Sequence, residues 1–205
     1  MTEATRDRLI TAAMALFAER GTRGTTIGDI EEGAGLTRRG GAFYKHFRSK
    51  AEILEAGIER QIREVESMRG VLELLPLGDL RAELTLLCRW LLTELSREHD
   101  MVRVLEKEGE QIPSLRNRML ERVIQVGYRQ AAEFAQRWAK EYGIADLDVE
   151  AVATILVGAV VNYRRTQWTF GGPPLGVDEN RFVETWVDGC VQLFLGMVDD
   201  SPSVS

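Results

Sequence analysis

The sequence predicts an all-α protein of nine helices. Apolar residues recur at spacings of three and four along most of the 205 residues, capping and helix-breaking residues stand at the ends of those runs, and no segment shows convincing strand alternation. With 44% hydrophobic and 28% charged residues, the chain can bury a core. This composition excludes the disordered, collagenous and disulfide-stapled classes.

The first two helices are marked by signals at their ends. A helix is predicted over residues 5–20, and Gly21 stands just past its end as a stop. Thr26 lies three residues before Asp29, which predicts a capping box in which the threonine hydroxyl satisfies a free backbone amide. A short second helix therefore begins after Thr26 and ends near Gly33.

Two further helices complete the amino-terminal region. Thr37 is placed to cap a third short helix that reaches about Phe47. Ser49 and the glutamate three residues later form a second capping-box pattern, which opens a fourth helix over 50–68. Two short helices joined by a glycine turn and preceded by a supporting helix have the layout of a helix-turn-helix, so residues 1–50, here called the head, are predicted to be a DNA-binding domain.

Residues 51–205, here called the body, are predicted to be helical throughout. The body begins with 51–68 as a connecting helix, and residues 70–79 form the one credible linker because they contain two glycines and a proline. Five helices follow, and 199–205 form a loose tail. The five helices are predicted at residues 80–95, 100–108, 113–142, 149–170 and 178–198.

The charge of the chain is divided unevenly. The net charge is −6, but residues 1–50 carry 9 Lys and Arg against 6 Asp and Glu, whereas the rest carries 17 against 26. Residues 37–50 hold five basic side chains and no acid. A local positive footprint on an acidic chain is typical of a modular DNA-binding protein.

Metal, cofactor and membrane functions find no support in the sequence. Cys88 and Cys190 lie far apart in apolar segments, which favours buried reduced thiols in a cytoplasmic protein, and His46 and His99 are isolated from any zinc-ligand spacing. We expect no metal and no cofactor. The longest nearly apolar run, 151–161, is too short to span a bilayer, and the first residues do not resemble a signal peptide.

Four blocks in the first fifty-five residues form a specific pattern. They are Phe17-Ala18-Glu19-Arg20-Gly21, Thr25-Thr26-Ile27 with Ile30, Ala34-Gly35-Leu36-Thr37, and the run from Phe43 to Leu54. Together they resemble the amino-terminal signature of the TetR family of bacterial repressors. The resemblance implies a nine-helix architecture, a three-helix head, a ligand pocket inside the body and a homodimer. Burial preference also predicts that Phe17, Ile30, Phe43 and Phe47 form the core of the head.

The resemblance also implies which residues contact DNA. These residues are Thr25, Thr26, Thr37, Arg38, Arg39, Tyr44, Lys45, His46 and Lys50. One departure concerns the stretch from Thr37 to Tyr44, here called the recognition segment, which has two more residues than the commonest family pattern. It includes adjacent glycines, which cost about 2 kcal/mol of helix propensity relative to alanine. Which of Arg38 and Arg39 faces the bases stays open, and His46 is either a phosphate donor or a packing residue.

For the ligand pocket, the body offers a set of large side chains and one amide side chain that stands among apolar residues in the sequence. The candidates are Trp90, Met101, Tyr128, Phe134, Trp138, Asn162, Tyr163 and Trp168. Ligand pockets are mostly apolar with a few directing polar groups, so this set suits a small apolar or aromatic effector. The alternative for each residue is ordinary core packing.

For the dimer, the last helix carries an apolar row that favours a partner helix. The candidate interface residues are Gly158, Val183, Val187, Cys190, Phe194 and Met197. Such a seam either faces a second copy or belongs to the core of the same chain. Two-fold symmetry then predicts a pseudo-palindromic operator with recognition elements about 34 to 36 Å apart, or a multiple of that spacing.

These expectations describe a ligand-responsive transcriptional regulator. We expect a repressor that binds its operator as a dimer and is released by a small effector, with an activator as the nearest variant. A small all-helical enzyme and a helical protein-binding scaffold are the alternatives from other classes. The enzyme is disfavoured because the sequence lacks zinc-protease, phosphate-loop and serine-nucleophile motifs.

Overall fold

The computed structural model describes residues 2–68 and 78–199, and these residues form helices without any strand. The all-α prediction is therefore confirmed. The α-helices are α1 (Thr2–Arg20), α2 (Ile27–Gly33), α3 (Lys50–Met68), α4 (Leu80–Glu108), α5 (Pro113–Met119), α6 (Gln125–Glu141), α7 (Val149–Phe170) and α8 (Glu179–Asp199). Most of the predicted linker at 70–79 and the predicted tail after residue 199 lie outside the described residues.

Most helix ends form where capping chemistry predicts them. Gly21 follows α1 with a φ of 74°, and its N–H donates to the Phe17 carbonyl at 2.9 Å. The carboxylates of Asp148 and Asp178 each accept a backbone N–H in the first turn of α7 and α8, both at 3.0 Å. These ends are predictable because they depend on a few neighbouring residues.

Two predicted boundaries in the body differ from the structure. Helices at 80–95 and 100–108 were expected, but α4 is continuous, because residues 96–99 contain no glycine or proline that would end a helix. The single helix expected at 113–142 is instead interrupted by a π turn at Leu120–Ile124. Eight α-helices therefore replace the nine expected, counted over the described ranges.

The third predicted helix, from Thr37 to Phe47, is wrong. The chain forms turns and bends after Thr37 and then a single 3-10 turn at Phe43–Lys45. Arg39 and Gly41 have positive φ values of 58° and 75°, which a right-handed helix does not allow. The adjacent glycines remove the helix propensity that would oppose this conformation.

The described residues divide into two compact units, one from 2–68 and 97–123 and the other from 78–96 and 124–199. In the first unit, Phe17, Ile30, Phe43 and Phe47 are buried with apolar residues of α1, α3 and α4, which confirms the predicted core of the head. The boundary predicted between residues 50 and 51 separates functions and stays a prediction.

The second unit has its own core around Trp138. The indole ring lies 5.9 Å from Phe134 and 5.6 Å from Phe194 between ring centroids, and its N–H donates to the buried carboxylate of Glu83 at 2.8 Å. Tyr163 belongs to the same apolar cluster. The large aromatic residues of this unit are thus used mainly in packing.

Candidate nucleic-acid interface

The predicted capping box opens α2. The Thr26 hydroxyl accepts the Asp29 N–H at 3.2 Å, and the Asp29 carboxylate accepts the Thr26 N–H at 2.9 Å. Hydrogen bonding with the side chain and the backbone of Thr26, followed by the charges of Arg38 and Arg20, holds the pKa of Asp29 below its ordinary value of 3.8. Thr26 is exposed, so its hydroxyl lies at the surface where α2 begins.

Two residues that were expected to contact DNA instead support the loop before α2. Thr25 is buried, and its hydroxyl donates to the Gly21 carbonyl at 2.9 Å. The Lys50 ammonium donates to the carbonyls of Thr22 and Thr25 from a half-buried position. The expected phosphate contacts of Thr25 and Lys50 are therefore corrected, because both side chains satisfy backbone carbonyls of residues 21–25.

The end of α4 holds the same loop from within the first unit. Glu108 is 6% exposed, and its Oε1 accepts the Thr22 N–H at 2.8 Å. The neighbouring Lys107 ammonium donates to the carbonyls of Ala18 and Glu19, at 2.6 and 2.7 Å, at the end of α1. Sequence reasoning missed this pair, since nothing in the local pattern of α4 indicates a partner some ninety residues away.

The segment after α2 is fastened by a buried carboxylate. Glu31 is 1% exposed, its Oε1 accepts the Phe43 N–H at 2.9 Å, and its Oε2 has no hydrogen-bond partner within the described chain. A signal for this residue exists in the sequence, because Glu31 lies four positions after Ile27 on the otherwise apolar face of α2.

The two adjacent arginines have different surroundings. The Arg38 guanidinium donates to Asp29 at 2.8 Å and to Glu32 at 2.9 Å, so two acids of α2 neutralise it. Arg39 is exposed and has no ion pair or hydrogen bond to the residues that the structure describes. Both side chains pass close to Gly28, where an added Cβ would lie 3.1 Å from Cγ of Arg38 and 3.5 Å from Cγ of Arg39.

The other predicted DNA contacts lie at or near the surface. Tyr44 is 65% exposed with its ring edge-on to Phe43, at a centroid distance of 5.5 Å. Thr37 and Lys45 are exposed. His46 is half-buried, with its ring centroid 6.4 Å from that of Phe47, and the choice between a phosphate donor and a packing residue stays open.

Three of the predicted contacts meet at one surface pocket of about 290 Å³. Thr26, Arg39 and Tyr44 contribute to its lining. The remaining lining residues are Ile27, Gly28, Glu31 and Gly41. Exposed hydroxyls and one cation thus surround a concavity at the start of α2.

The predicted effector-binding residues are not brought together as one group. Phe134, Trp138 and Tyr163 are buried in the core of the second unit, whereas Met101 is buried in the core of the first. Trp90, Tyr128 and Trp168 are half-buried, and Asn162 is exposed. The expectation that all eight residues line one pocket is therefore corrected, because four of them pack in the two cores.

The apolar row of α8 faces the core of its own chain. Val183, Val187, Cys190 and Phe194 are all at most 1% exposed, so the predicted interface through these side chains is wrong. Burial raises the pKa of the Cys190 thiol to about 12. Gly158 is half-buried with open space at its Cβ position, and the Met197 side chain lies outside the described residues.

Within residues 2–68 and 78–199 we find no group of three or more His, Cys, Asp or Glu arranged to hold a metal ion. A search of the same ranges for an apolar helix long enough to cross a bilayer also found none.

A capped short helix, a turn and an exposed basic segment lie on a small helical core, an arrangement typical of a nucleic-acid-binding protein. The family model described as bacterial regulatory proteins, tetR family, matches residues 9–56. The resemblance noted in the sequence is confirmed over these residues.

Curated relatives match mainly over the head. The transcriptional repressor KstR2 of Mycobacterium tuberculosis is 48% identical over 50 residues, which are 24% of each chain. The transcriptional regulator TtgR of Pseudomonas putida is 50% identical over 52 residues, 25% of this chain and 24% of the relative. The chain thus spans about a quarter of the length of these relatives, which are regulators and not enzymes.

Solved structures match the fold along the whole chain. A protein of Mesorhizobium loti assigned to the TetR family has a TM-score of 0.67 at 21% identity and covers 96% of this chain and 97% of its own. A gamma-butyrolactone receptor, an ArpA-like protein, has a TM-score of 0.61 at 24% identity, with coverages of 98% and 99%. At these identities the likeness establishes the fold.

Proposed function

We propose that this protein is a ligand-responsive transcriptional repressor that binds a pseudo-palindromic DNA operator as a homodimer and is released by a small apolar or aromatic effector. The observation that carries the proposal is the exposed basic and hydroxyl surface beside α2, which holds Thr26, Arg39, Tyr44 and Lys45. Cations and hydroxyls are the groups that contact the phosphates and bases of duplex DNA.

The proposed DNA contacts divide by chemistry. The hydroxyls of Thr26, Thr37 and Tyr44 and the ammonium of Lys45 suit phosphate oxygens, because they are exposed and have the required donors. Phosphate contacts fix the register of the protein on the duplex. Sequence is then read by a group that reaches a base edge.

The homodimer is proposed through the outer faces of α7 and α8. Ile155 of α7 is 68% exposed, and an added Cβ at Gly158 or Gly189 would meet no atom within 4 Å in its own chain. Small residues beside an exposed apolar one let two helices approach closely. We expect Ile155→Arg to convert a dimer to a monomer in light scattering, and Leu86→Arg on α4, which is also exposed, to leave the mass unchanged. A wild-type monomer would contradict this part of the proposal.

The effector is proposed from the family together with the aromatic content of the body. Trp90, Tyr128 and Trp168 are half-buried, so part of each ring remains accessible. We expect one member of a panel of small apolar and aromatic compounds to raise the melting temperature and to lower operator affinity. Coupling of about 1 to 3 kcal/mol between two sites corresponds to a change of roughly 5- to 150-fold in affinity.

The test is binding to duplex DNA from the region flanking the gene that encodes this chain, measured by fluorescence anisotropy against a scrambled duplex. We expect the protein to bind the flanking duplex at nanomolar concentration. Its affinity should fall steeply as salt rises from about 50 to about 200 mM. Lys45→Gln should weaken binding, whereas Lys140→Gln, the same charge change at an exposed position in the body, should not. Failure to bind any duplex at low salt would refute the function.

A further inference from the structure

We propose that Arg39 reads a guanine in the major groove, and that Arg38 is a positioning residue that holds the recognition segment on α2. This inference rests on the proposed function and deepens it by assigning the specificity of the site to one side chain. The two arginines are adjacent in sequence, and the structure distinguishes them by their partners.

The Arg38 guanidinium is already committed within the protein. It bridges Asp29 and Glu32 at 2.8 and 2.9 Å, on the outer surface of α2. Its stem crosses Gly28 so closely that an added Cβ would come within 3.1 Å of it. Contacting DNA would require breaking two charge-assisted hydrogen bonds and would leave two carboxylates facing the duplex.

The guanidinium of Arg39 is unpaired within the described residues, and its backbone adopts a positive φ. The Gly40 N–H donates to the Thr37 carbonyl at 2.9 Å, which closes a four-residue turn with Arg39 as its third residue. Arg39 has a φ of 58° there, a conformation that glycine or asparagine usually adopts. Such strained residues cluster at functional sites. The exposed side chain has no partner within the described residues that would hold its five donors.

The pocket beside Arg39 favours a base edge over a phosphate. Glu31 lines this pocket, and its buried Oε2 has no hydrogen-bond partner inside the described chain. A phosphate in the pocket would be repelled by this carboxylate, whereas the edge of a guanine is uncharged. A guanidinium matches guanine O6 and N7 with two parallel hydrogen bonds, which lysine does not reproduce.

The rim of the pocket is held in place by the residues around it. Glu31 fixes the Phe43 N–H at 2.9 Å, next to Tyr44, and the capping box fixes Thr26. Thr26 and Tyr44 both belong to the pocket lining with Arg39. Hydroxyls that contact phosphate on either side would therefore set the depth at which Arg39 enters the groove.

The experiment uses duplexes that the wild-type full-length protein selects from a random library. Each position of the selected half-site is then replaced by the other base pairs, and affinities are measured for wild type and three variants. Arg39→Lys keeps the charge, Arg39→Asn keeps a residue that tolerates positive φ, and Arg38→Gln removes the bridge to α2. Circular dichroism and thermal melting identify any variant that fails to fold.

We expect wild type to prefer G·C over A·T at one position of each half-site by about 5- to 150-fold, the discrimination of one bidentate pair. Arg39→Lys and Arg39→Asn should both lose this preference, and Arg38→Gln should keep it while binding all sequences more weakly. The inference is overturned if Arg39→Lys retains the preference, or if Arg38→Gln removes it. A wild-type protein that selects no duplex would overturn the proposed function itself.

Discussion

A single buried carboxylate links the end of α4 to the loop before α2. Glu108 accepts the Thr22 N–H at 2.8 Å, and the same Oε1 lies 3.1 Å from the position that a Cβ on Gly21 would occupy. Glu108→Leu keeps a side chain of similar size but removes the acceptor. The partly buried Thr22 N–H then loses its partner, which costs about 1 to 3 kcal/mol of the free energy of unfolding.

Glu108→Gln is the matched control, because its amide oxygen still accepts the N–H. We expect it to change the free energy of unfolding by less than about 1 kcal/mol, the net value of a typical hydrogen bond. For a chain of this length each kcal/mol corresponds to about 2 to 4 °C in melting temperature, so calorimetry separates the two variants. Urea unfolding followed by circular dichroism gives an independent value.

The prediction extends to DNA, because the loop that Glu108 holds leads directly into the Thr26 cap. Glu108→Leu should weaken operator binding, and Glu108→Gln should bind like wild type. If both variants melt at the wild-type temperature, the reasoning is refuted, since the acceptor then contributes nothing. A stability loss in both variants would instead assign the effect to the charge of the carboxylate.

Three further outcomes follow from individual groups. Because the folded pKa of Asp29 is depressed, its ionised form adds stability above its ordinary pKa of 3.8, and this contribution is lost as pH falls through the lower folded pKa. The stability gap between wild type and Asp29→Ala should therefore close on acidification in urea titrations. Burial raises the pKa of Cys88 and Cys190 to about 12, so a thiol reagent at pH 8 should label neither in the native protein and both in denaturant. Tyr163→Phe removes a hydrogen bond of 2.9 Å to the Val177 carbonyl and should lower the free energy of unfolding by about 0.5 to 1.5 kcal/mol.

The parts of the head that were predictable are those that local chemistry decides. The cap at Thr26 and the stop at Gly21 involve residues at most four positions apart, and both form as expected. The third helix was expected because Thr37 is placed to cap one. The adjacent Gly40 and Gly41 outweigh that capping signal, because glycine has low helix propensity and Gly41 adopts a positive φ.

The roles of Thr25 and Lys50 depend on the fold of the loop, which the sequence does not show. Both have side chains that suit phosphate, and both instead bind carbonyls within residues 21–25. The body presents the same difficulty on a larger scale. The row that contains Val183 and Phe194 is equally suited to a helix of the same chain and to one of a second copy, and only the packed structure distinguishes them.

The number of cations available to DNA is smaller than the sequence suggests. Of the five basic residues in 37–50, Arg38 is paired with acids and Lys50 binds carbonyls, which leaves Arg39, Lys45 and Arg48 without a side-chain partner in the described part of the chain. Each phosphate contact contributes about 0.9 to the slope of log affinity against log salt, so a contact present twice in a dimer contributes about 1.8.

Affinity and salt slope therefore report different roles for these residues. Lys45→Gln and Arg48→Gln should each weaken binding and lower the slope of log affinity against log salt by up to about 1.8. Each subunit then makes one phosphate contact fewer, so fewer counterions are released from the DNA on binding. Lys50→Gln should weaken binding through the loop it supports and leave the slope unchanged. A slope that falls with Lys50→Gln as much as with Lys45→Gln would mean that the Lys50 ammonium leaves its carbonyls to meet the duplex, and the division between supporting and contacting cations would be wrong.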